Sequence, residues 1–267
     1  SARGVSHLLC VSVTLEQFPS MLAKIAPFPQ VFASCGVHPL DQESPWSPEL
    51  LRQLAAEPRV VAIGETGLDY FYHPEHKLIQ QQAFREHIRV ARELHKPLII
   101  HTRDAQEDTL AILKEEGADS VGGVLHCFTE DWAMAEAAMA LGFYISISGI
   151  VTFRNADRLR EVTRRLPAER LLIETDSPYL APVPYRGKLN QPGYVRHVAE
   201  EVARLRGMAL DEAIMTVDQY LDQAILAGMG EVSIIHGKGT GVLRSGIQQH
   251  LRSEEHTSEL QSPMFIS

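Results

Sequence analysis

Seven short apolar runs, each followed by a longer amphipathic stretch, dominate the pattern of this sequence. The runs are His7–Val13, Val31–Val37, Val60–Gly64, Pro97–Ile100, Val121–Leu125, Phe143–Ser148 and Leu171–Glu174. They are apolar almost throughout, which is typical of strands that are covered on both faces. Strands that alternate with helices, such as those predicted at Gln80–Leu94 and Trp132–Leu141, form parallel sheets. The repeat predicts a TIM-type (β/α) barrel, although the count is one short of its eight strands.

The repeat ends near Leu205. The predicted elements that follow are a helix, a strand, a glycine-rich turn and a second helix, at Leu210–Ala227, Glu231–Ile235, 236–241 and then up to Leu251. Residues 252–267 have no periodic pattern and are predicted to be a disordered tail. We therefore expect a barrel at 1–206 and a partial α/β segment at 207–251 before that tail.

A formal net charge of −9 excludes a protein that coats nucleic acid non-specifically, because its overall field repels phosphate. Binding of a phosphodiester would need a local device, such as metal cations with a few basic side chains around them. The three cysteines are too few for a disulfide framework, and no apolar run reaches the roughly 18 residues of a membrane span. We expect a cytoplasmic protein that has no membrane partner.

Ionisable side chains follow five of the seven apolar runs, where the active site of an αβ barrel lies. They are His38, Glu65, His101, His126 and Asp176. A single histidine there is more often structural, and a single carboxylate can equally cap the next helix. Several on one rim are different, because unpaired charge is costly. A mixed cluster without a nucleophilic serine or cysteine elbow fits divalent metal binding, and it predicts a metal-dependent hydrolase.

Basic and aromatic side chains lie near the same strand ends. The basic residues are Arg103, Arg154, Arg186 and Lys188. Solvation is the usual fate of such side chains, but their clustering favours phosphate binding, because arginine forks match phosphate oxygens. Tyr70, Phe71 and Tyr72 follow Glu65 and suit either base stacking or packing against a helix.

Six segments between residues 5 and 206 match one family. They read CGVHPL, GETGLDY, KPLIIHTRDA, GGVLHCFTED, GFYISISGIVTFRNA and RLLIETDSPYLAPVPYRGKLNQP. In this order they resemble the TatD family, and most closely its YcfH branch. The resemblance implies a metal-dependent deoxyribonuclease on an amidohydrolase-type barrel, which acts on single-stranded DNA ends. It also implies divalent cations as cofactors, two in the intact family, of Mg²⁺, Mn²⁺ or Zn²⁺.

The resemblance implies a metal-binding role for four residues. Glu65 would bridge the two cations, and His101 and His126 would hold the second cation. Asp176 would bind the first cation and orient the attacking water. Glu65 and Asp176 are thus the implied catalytic residues.

Two further residues have supporting roles by the same resemblance. His38 is expected beside the ligands and not among them. Glu174 precedes Asp176 by two residues, on the same strand face, and is expected to orient its neighbours.

The family's first strand carries an Asp-Ser-His-x-His type motif, whose two histidines bind the first cation. That strand belongs one βα unit upstream of His7, so we expect a barrel that lacks its first strand. Two unpaired sheet edges, beside Val11 and Ile173, would then favour aggregation. With its first metal site incomplete, the chain is expected to cleave DNA feebly or not at all.

Residues 207–251 are similar to the Smr (small MutS-related) domain, a DNA-binding or nicking module. Both families carry a Leu-Arg-Gly, here residues 205–207, at the junction. The HGKGTG turn at 236–241 would present backbone N–H groups to an anion. Residues 252–262 look like a translated sequencing adapter. A chimeric or mis-assembled gene is the resulting hypothesis.

Cleavage of DNA phosphodiester bonds is therefore the predicted function, with two alternatives. One is a small-molecule amidohydrolase on the same scaffold, hydrolysing an amide or lactone. The other is a DNA-binding module that acts through the Smr-like segment while the barrel is inert.

Overall fold

The computed structural model describes residues 7–206, so the segments predicted at 207–251 and 252–267 lie outside the described residues. Its strands are β1 (Leu8–Cys10), β2 (Val31–Cys35), β3 (Val60–Asp69), β4 (Leu98–Arg103), β5 (Gly123–Leu125), β6 (Tyr144–Ile147) and β7 (Leu171–Ile173). Its helices are α1 (Phe18–Ile25), α2 (Pro48–Ala55), α3 (Lys77–Leu94), α4 (Gln106–Glu115), α5 (Trp132–Ala140), α6 (Asp157–Arg165) and α7 (Val195–Leu205).

The seven strands form one sheet in the order β1-β2-β3-β4-β5-β6-β7, and every neighbouring pair is parallel. A helix follows each strand, as the crossover between parallel neighbours requires. This sequential order curls the sheet into a TIM-barrel-like fold. The predicted fold class is confirmed, and so are the helices predicted at Gln80–Leu94 and Trp132–Leu141.

The chain divides into two compact units, Ser1–Val198 and Ala199–Ser267. All seven strands belong to the first unit, and α7 begins in the first unit and ends in the second. The boundary expected after residue 206 remains a prediction. Among the described helices, none has the length and apolar character that crossing a membrane requires.

Side chains of the strands and of α3 fill the core. The fully buried strand residues include Ala33, Cys35, Ile63, Leu98, Ile100, Leu125, Ile145 and Ile147. In α3 the buried positions recur every three or four residues, from Gln80 through Phe84 and His87 to Ile88 and Ala91. This spacing is one face of a helix, so α3 lies on the sheet along a single stripe.

β3 carries one extra residue relative to β4, next to the buried side chain of Glu65. Ile63 pairs with Leu98, whereas Thr66 pairs with Ile100, so three steps along β3 match two along β4. Such a bulge redirects the side chains beside it. Gly64 (φ 145°) stands in the bulge, where a Cβ atom would lie 2.5 Å from the carbonyl oxygen of Ile99. Only glycine therefore allows the close approach of β3 and β4 at this point.

His87 ties α3 to the end of β2. Its ring accepts a hydrogen bond at Nε2 from the Val37 amide (3.0 Å), and Nδ1–H donates to the carbonyl oxygen of Ala83 (2.7 Å). Both ring nitrogens therefore have a hydrogen-bond partner when the imidazole is neutral. Burial lowers the pKa of His87 from its ordinary value of 6.5 to about 4. This histidine is therefore a structural anchor, and it holds the residue that precedes His38.

We predict that His87 makes the protein less stable as the pH falls. Its pKa is lower in the folded chain than in the unfolded chain, so the unfolded chain binds the extra proton between pH 6.5 and about 4. The stabilisation is complete above pH 6.5 and is lost as the pH approaches 4. It amounts to about 3 kcal/mol. Urea unfolding of wild type and His87→Gln at pH 7.5 and 5 checks this, since glutamine does not titrate. An equal loss of stability in both proteins would contradict it.

Candidate metal centre

The carboxyl ends of β2, β3, β4, β5 and β7 bring the predicted ionisable residues together. Glu65 lies within β3 and His101 within β4, so the expectation that both follow their strands is wrong. His38, His126 and Glu174 do follow their strands. β3 extends to Asp69 because its polar second half is buried too. β3 and β4 thus extend beyond their apolar segments, and Glu65 and His101 lie within the strands and not in the loops that follow them.

One carboxylate oxygen, Oε1 of Glu65, is the common contact of three histidines. It lies 2.8 Å from Nε2 of His126 and 3.2 Å from Nδ1 of His101. Nε2 of His38 is 3.4 Å away. Glu65 is only 7% exposed, so these rings replace the water that a carboxylate otherwise needs.

Two of the three histidines are held from behind by a second carboxylate. His101 contacts Oδ2 of Asp69 through Nε2 at 2.9 Å. His126 contacts Oε1 of Glu174 through Nδ1 at 3.0 Å. A carboxylate behind an imidazole fixes its tautomer and orientation, as is typical of histidines that bind metal. The nitrogens that face Glu65, Nδ1 of His101 and Nε2 of His126, are therefore the ones presented to a cation.

Asp69 is a site residue that the sequence reasoning missed. It is 1% exposed, and its Oδ1 accepts hydrogen bonds from the amides of Phe71 (3.0 Å) and Tyr72 (3.1 Å). Gln80 of α3 bonds both the amide and the carbonyl of Asp69. The signal was available in GETGLDY, because residues four apart on a strand share a face and Asp69 is four residues after Glu65.

His38 contacts Glu65 as a donor. Its Nδ1 accepts the Leu40 amide at 3.1 Å, which leaves the proton of the neutral ring on Nε2. Nε2 lies 3.4 Å from Oε1 of Glu65, and a nitrogen that carries a proton cannot bind metal. This tautomer supports the prediction that His38 stands beside the ligands.

Charges at the centre are strongly coupled. Burial would raise the pKa of Glu65, but the charge of His126 and hydrogen bonds from the histidines outweigh burial and hold that pKa well below its usual range. Burial opposes protonation of His126, yet Glu65 and Glu174 together raise its pKa well above the ordinary value. The carboxylates therefore attract positive charge to the rings.

Asp176 adds a further carboxylate. The strand-face relation predicted for Glu174 and Asp176 does not hold, because β7 ends at Ile173 and Asp176 has a left-handed backbone (φ 56°). Ligand atoms of His126, Glu174 and Asp176 nevertheless lie within 4.8 Å of one another. Burial, with the charges of Glu174 and Glu65, raises the pKa of Asp176 despite His126. A nearby cation would relieve this unfavourable ionisation.

The donor set fits a divalent cation. His101 and His126 offer nitrogen donors, and Glu65 and Asp176 offer oxygen donors. The second nitrogen of each ring is already bonded to Asp69 or Glu174. Mixed imidazole and carboxylate sets suit Zn²⁺ or Mn²⁺, and carboxylates also suit Mg²⁺. Four carboxylates, with Asp69 and Glu174 included, exceed the charge that three histidines can balance.

The four predicted phosphate-binding residues lie on the described surface near the strand ends. The Arg103 guanidinium lies over the rings of Phe71 (3.9 Å) and Tyr72 (4.9 Å). Arg186 lies 3.6 Å over Phe153. Arg154 and Lys188 are exposed. Among the described residues, no hydrogen bond or ion pair joins any of the four to Glu65 or its histidines.

The three neighbouring aromatic residues divide into two kinds. Tyr70 is 8% exposed, and its hydroxyl donates to Asp108 at 2.7 Å, so its role is packing against α3 and α4. Phe71 and Tyr72 are 53% and 56% exposed. Of these three residues, only Phe71 and Tyr72 are exposed enough for a nucleic-acid base to stack on them.

A family model described as TatD related DNase matches residues 1–224, and one described as Smr domain matches residues 204–264. The uncharacterized metal-dependent hydrolase YcfH of Escherichia coli K12 is 57% identical over 221 residues, which are 82% of this chain and 83% of that protein. The uncharacterized metal-dependent hydrolase YabD of Bacillus subtilis is 43% identical over 79% of this chain and 84% of its own length.

One relative carries a more specific name. The 3′-5′ ssDNA/RNA exonuclease TatD of Escherichia fergusonii is 39% identical over 77% of this chain and 82% of that protein. Among solved structures, the TatD homologue YjjV of Escherichia coli K12 superposes with a TM-score of 0.73 at 30% identity, over 79% of this chain and 82% of that one.

We predict that Asp69→Asn lowers the affinity for Mn²⁺ or Zn²⁺ by about 10–100-fold. Asparagine keeps an acceptor for the Phe71 and Tyr72 amides, but its NH₂ group would face Nε2 of His101. The proton of His101 would then move to Nδ1, the nitrogen that should bind metal. Titration calorimetry of the folded variant measures the change.

The matched control is Glu130→Gln. Glu130 is also a buried carboxylate (6% exposed), but it bonds the amide of Asp104 and the side chain of Gln106 instead of a histidine. We expect its metal affinity to stay within about threefold of wild type, below the range for carboxylates that support metal ligands. Equal losses in the two variants would refute a specific role for Asp69.

Proposed function

The chain belongs to the TatD family of metal-dependent hydrolases, and from this premise we propose that it hydrolyses phosphodiester bonds of DNA at single-stranded ends. The observation that carries the proposal is the pair of histidines that face Glu65 while Asp69 and Glu174 hold them from behind. The name of the Escherichia fergusonii relative, a 3′-5′ ssDNA/RNA exonuclease, supports the choice of substrate.

We assign Glu65, His101, His126 and Asp176 as the residues that would hold the divalent cations, Mg²⁺, Mn²⁺ or Zn²⁺. When bound, such cations polarise phosphoryl oxygens and lower the pKa of bound water. His38 steadies Glu65 through its Nε2–H, as described by the 3.4 Å contact.

Asp176 is the proposed residue that orients the attacking water. Its carboxylate lies beside His126 and Glu174. Asp69 and Glu174 are each bonded to a histidine, whereas no such bond is found for Asp176 among the described residues. Burial and the neighbouring carboxylates raise the pKa of Asp176, and a bound cation would favour its ionised form, which can accept a hydrogen bond from water. Glu174 already bonds His126 and is therefore the positioning residue of the two.

Arg103, Arg154, Arg186 and Lys188 are the proposed phosphate contacts. They supply local positive charge on a chain whose net charge is −9. Arg103 and Arg186 lie over aromatic rings, so their conformations are restricted before a phosphate binds. Among the described residues no hydrogen bond engages their guanidinium N–H groups, which stay available for phosphate oxygens.

Phe71 and Tyr72 form the proposed base platform. A base can stack on an aromatic face only when it is unpaired and exposed, so such a platform favours single strands. Arg103 contacts both rings and joins the platform to the proposed phosphate contacts.

The Smr match favours a second candidate role, which is DNA binding by a separate segment at about 207–251 while 1–206 carries the hydrolase. In the full chain, Lys238→Ala should then weaken DNA binding and leave the turnover of bound DNA unchanged. Loss of turnover with intact binding would contradict it.

A cytoplasmic location fits three free cysteines, since a reducing compartment keeps thiols unpaired.

We predict that Asp176→Asn lowers Mn²⁺-dependent release of nucleotides from an end-labelled single-stranded oligonucleotide by about 100-fold or more. Asparagine cannot accept the proton of the attacking water. Metal binding by His101 and His126 should persist, so calorimetry should still detect a bound ion. Cleavage that survives the substitution would remove Asp176 from the catalytic role.

We predict that the double variant Phe71→Ala/Tyr72→Ala raises KM for single-stranded DNA by fivefold or more, since base–aromatic stacking contributes about 1–3 kcal/mol. Hydrolysis of a small phosphodiester without bases should be unchanged. Tyr144→Ala is the matched control, because Tyr144 is 39% exposed and also has an arginine, Arg170, over its ring. If the control raises KM equally, Phe71 and Tyr72 have no special part in binding.

A further inference from the structure

A second group of metal-ligand side chains lies between β3 and α3 and shares no residue with the Glu65 centre. It consists of His73, Glu75 and His76. Nδ1 of His73 is 2.9 Å from Oε1 of Glu75, and Nε2 of His76 is 3.9 Å from the same oxygen. The two imidazole rings are stacked, with centroids 5.1 Å apart and an interplanar angle of 15°.

The local backbone produces this arrangement. Pro74–His76 form a single 3₁₀ turn, in which the His76 amide donates to the carbonyl of His73 at 3.1 Å. His73 directly precedes the turn with an extended φ of −133°, and in this conformation its ring lies against that of His76. Pro74 restricts φ at the first position of the turn. The two rings are therefore aligned before any ligand binds.

The donor separations match those of a tetrahedral site. With bonds of about 2.0–2.1 Å to zinc, neighbouring ligand atoms stand about 3.3 Å apart. The observed 2.9 and 3.9 Å lie on either side of this value, and one ligand atom of each residue lies within 4.8 Å of the others. Rotation of the two rings out of their stacked arrangement would bring all three atoms onto one ion.

The chemistry of the donors selects the class of ion. Two imidazoles with one carboxylate favour Zn²⁺, Ni²⁺ or Cu²⁺ over Mg²⁺ and Ca²⁺, which prefer oxygen ligands. The side chains of His73, Glu75 and His76 are 46%, 60% and 32% exposed, so an ion can enter and keep water in its remaining position. The N-terminus of α3 disfavours a cation, and the carboxylate of Glu75 offsets that effect.

We propose that His73, Glu75 and His76 form a second, surface site for a transition-metal ion such as Zn²⁺. An ion there would join the loop after Asp69 to the beginning of α3. The site shares no residue with the Glu65 centre, and it directly follows Phe71 and Tyr72 of the proposed base platform. Its loading should restrict the backbone of residues 70–76.

Zinc titration calorimetry of the full chain tests the site in two backgrounds. Replacing His73→Ala/His76→Ala should lower the zinc stoichiometry of wild type by one, and it should do the same in a His126→Ala background. Mg²⁺ titrations should be unaffected. His95→Asn is the matched control, since His95 is an exposed histidine in neither cluster and asparagine tolerates its left-handed backbone (φ 52°).

Hydrogen exchange supplies a readout that depends on neither activity nor stoichiometry. Zinc should slow amide exchange at residues 70–76 in the His126→Ala protein, and this protection should vanish when His73 and His76 are also replaced. An unchanged zinc stoichiometry in the His73→Ala/His76→Ala protein would overturn the proposal. So would a loss of equal size in His95→Asn.

Discussion

The buried carboxylate of Glu65 is the constraint on which the rest of the site depends. A carboxylate that is 7% exposed is costly unless donors surround it, and here the donors come from the ends of three other strands. β2, β4 and β5 must therefore curl towards one point on β3. The bulge at Gly64 turns Glu65 to that point, and the absence of a side chain on Gly64 lets β4 approach. The same interaction thus organises both the sheet and the chemistry.

The second constraint is charge. Glu65, Asp69, Glu174 and Asp176 crowd around three histidines. Negative charge raises the pKa of His126 against the effect of burial, and burial together with negative charge raises the pKa of Asp176. Each metal-facing nitrogen is selected by a carboxylate on the far side of its ring, Asp69 for His101 and Glu174 for His126. A divalent cation satisfies both demands, since it neutralises the surplus of negative charge and occupies the two nitrogens left facing Glu65. The arrangement therefore suits a divalent cation.

Much of this could be predicted from sequence, since apolar runs between amphipathic stretches leave few alternatives to a parallel sheet. The convergence of Glu65, His101 and His126 follows from the topology of such sheets. The remainder depends on side-chain contacts that periodicity does not encode. The apolar pattern predicts that β3 ends at Gly64, because the second half of the strand is polar and glycine-rich. In the structure that half is buried, and the side chain of Gln80 bonds the backbone amide and carbonyl of Asp69 at its end. Asp69 was missed for the same reason. Tyr70 and its two neighbours are alike in sequence, and only burial separates them.

The central claim is that Nδ1 of His101 and Nε2 of His126, with Glu65 between them, bind the cation. Anomalous diffraction from crystals of the full chain loaded with Mn²⁺ or Zn²⁺ locates the ion directly. The account predicts an anomalous peak bonded to those two nitrogens at about 2.0–2.2 Å, with Asp69 and Glu174 still bonded to the opposite nitrogens. A peak on Nε2 of His101 or Nδ1 of His126, with the backing carboxylate displaced, would contradict the account.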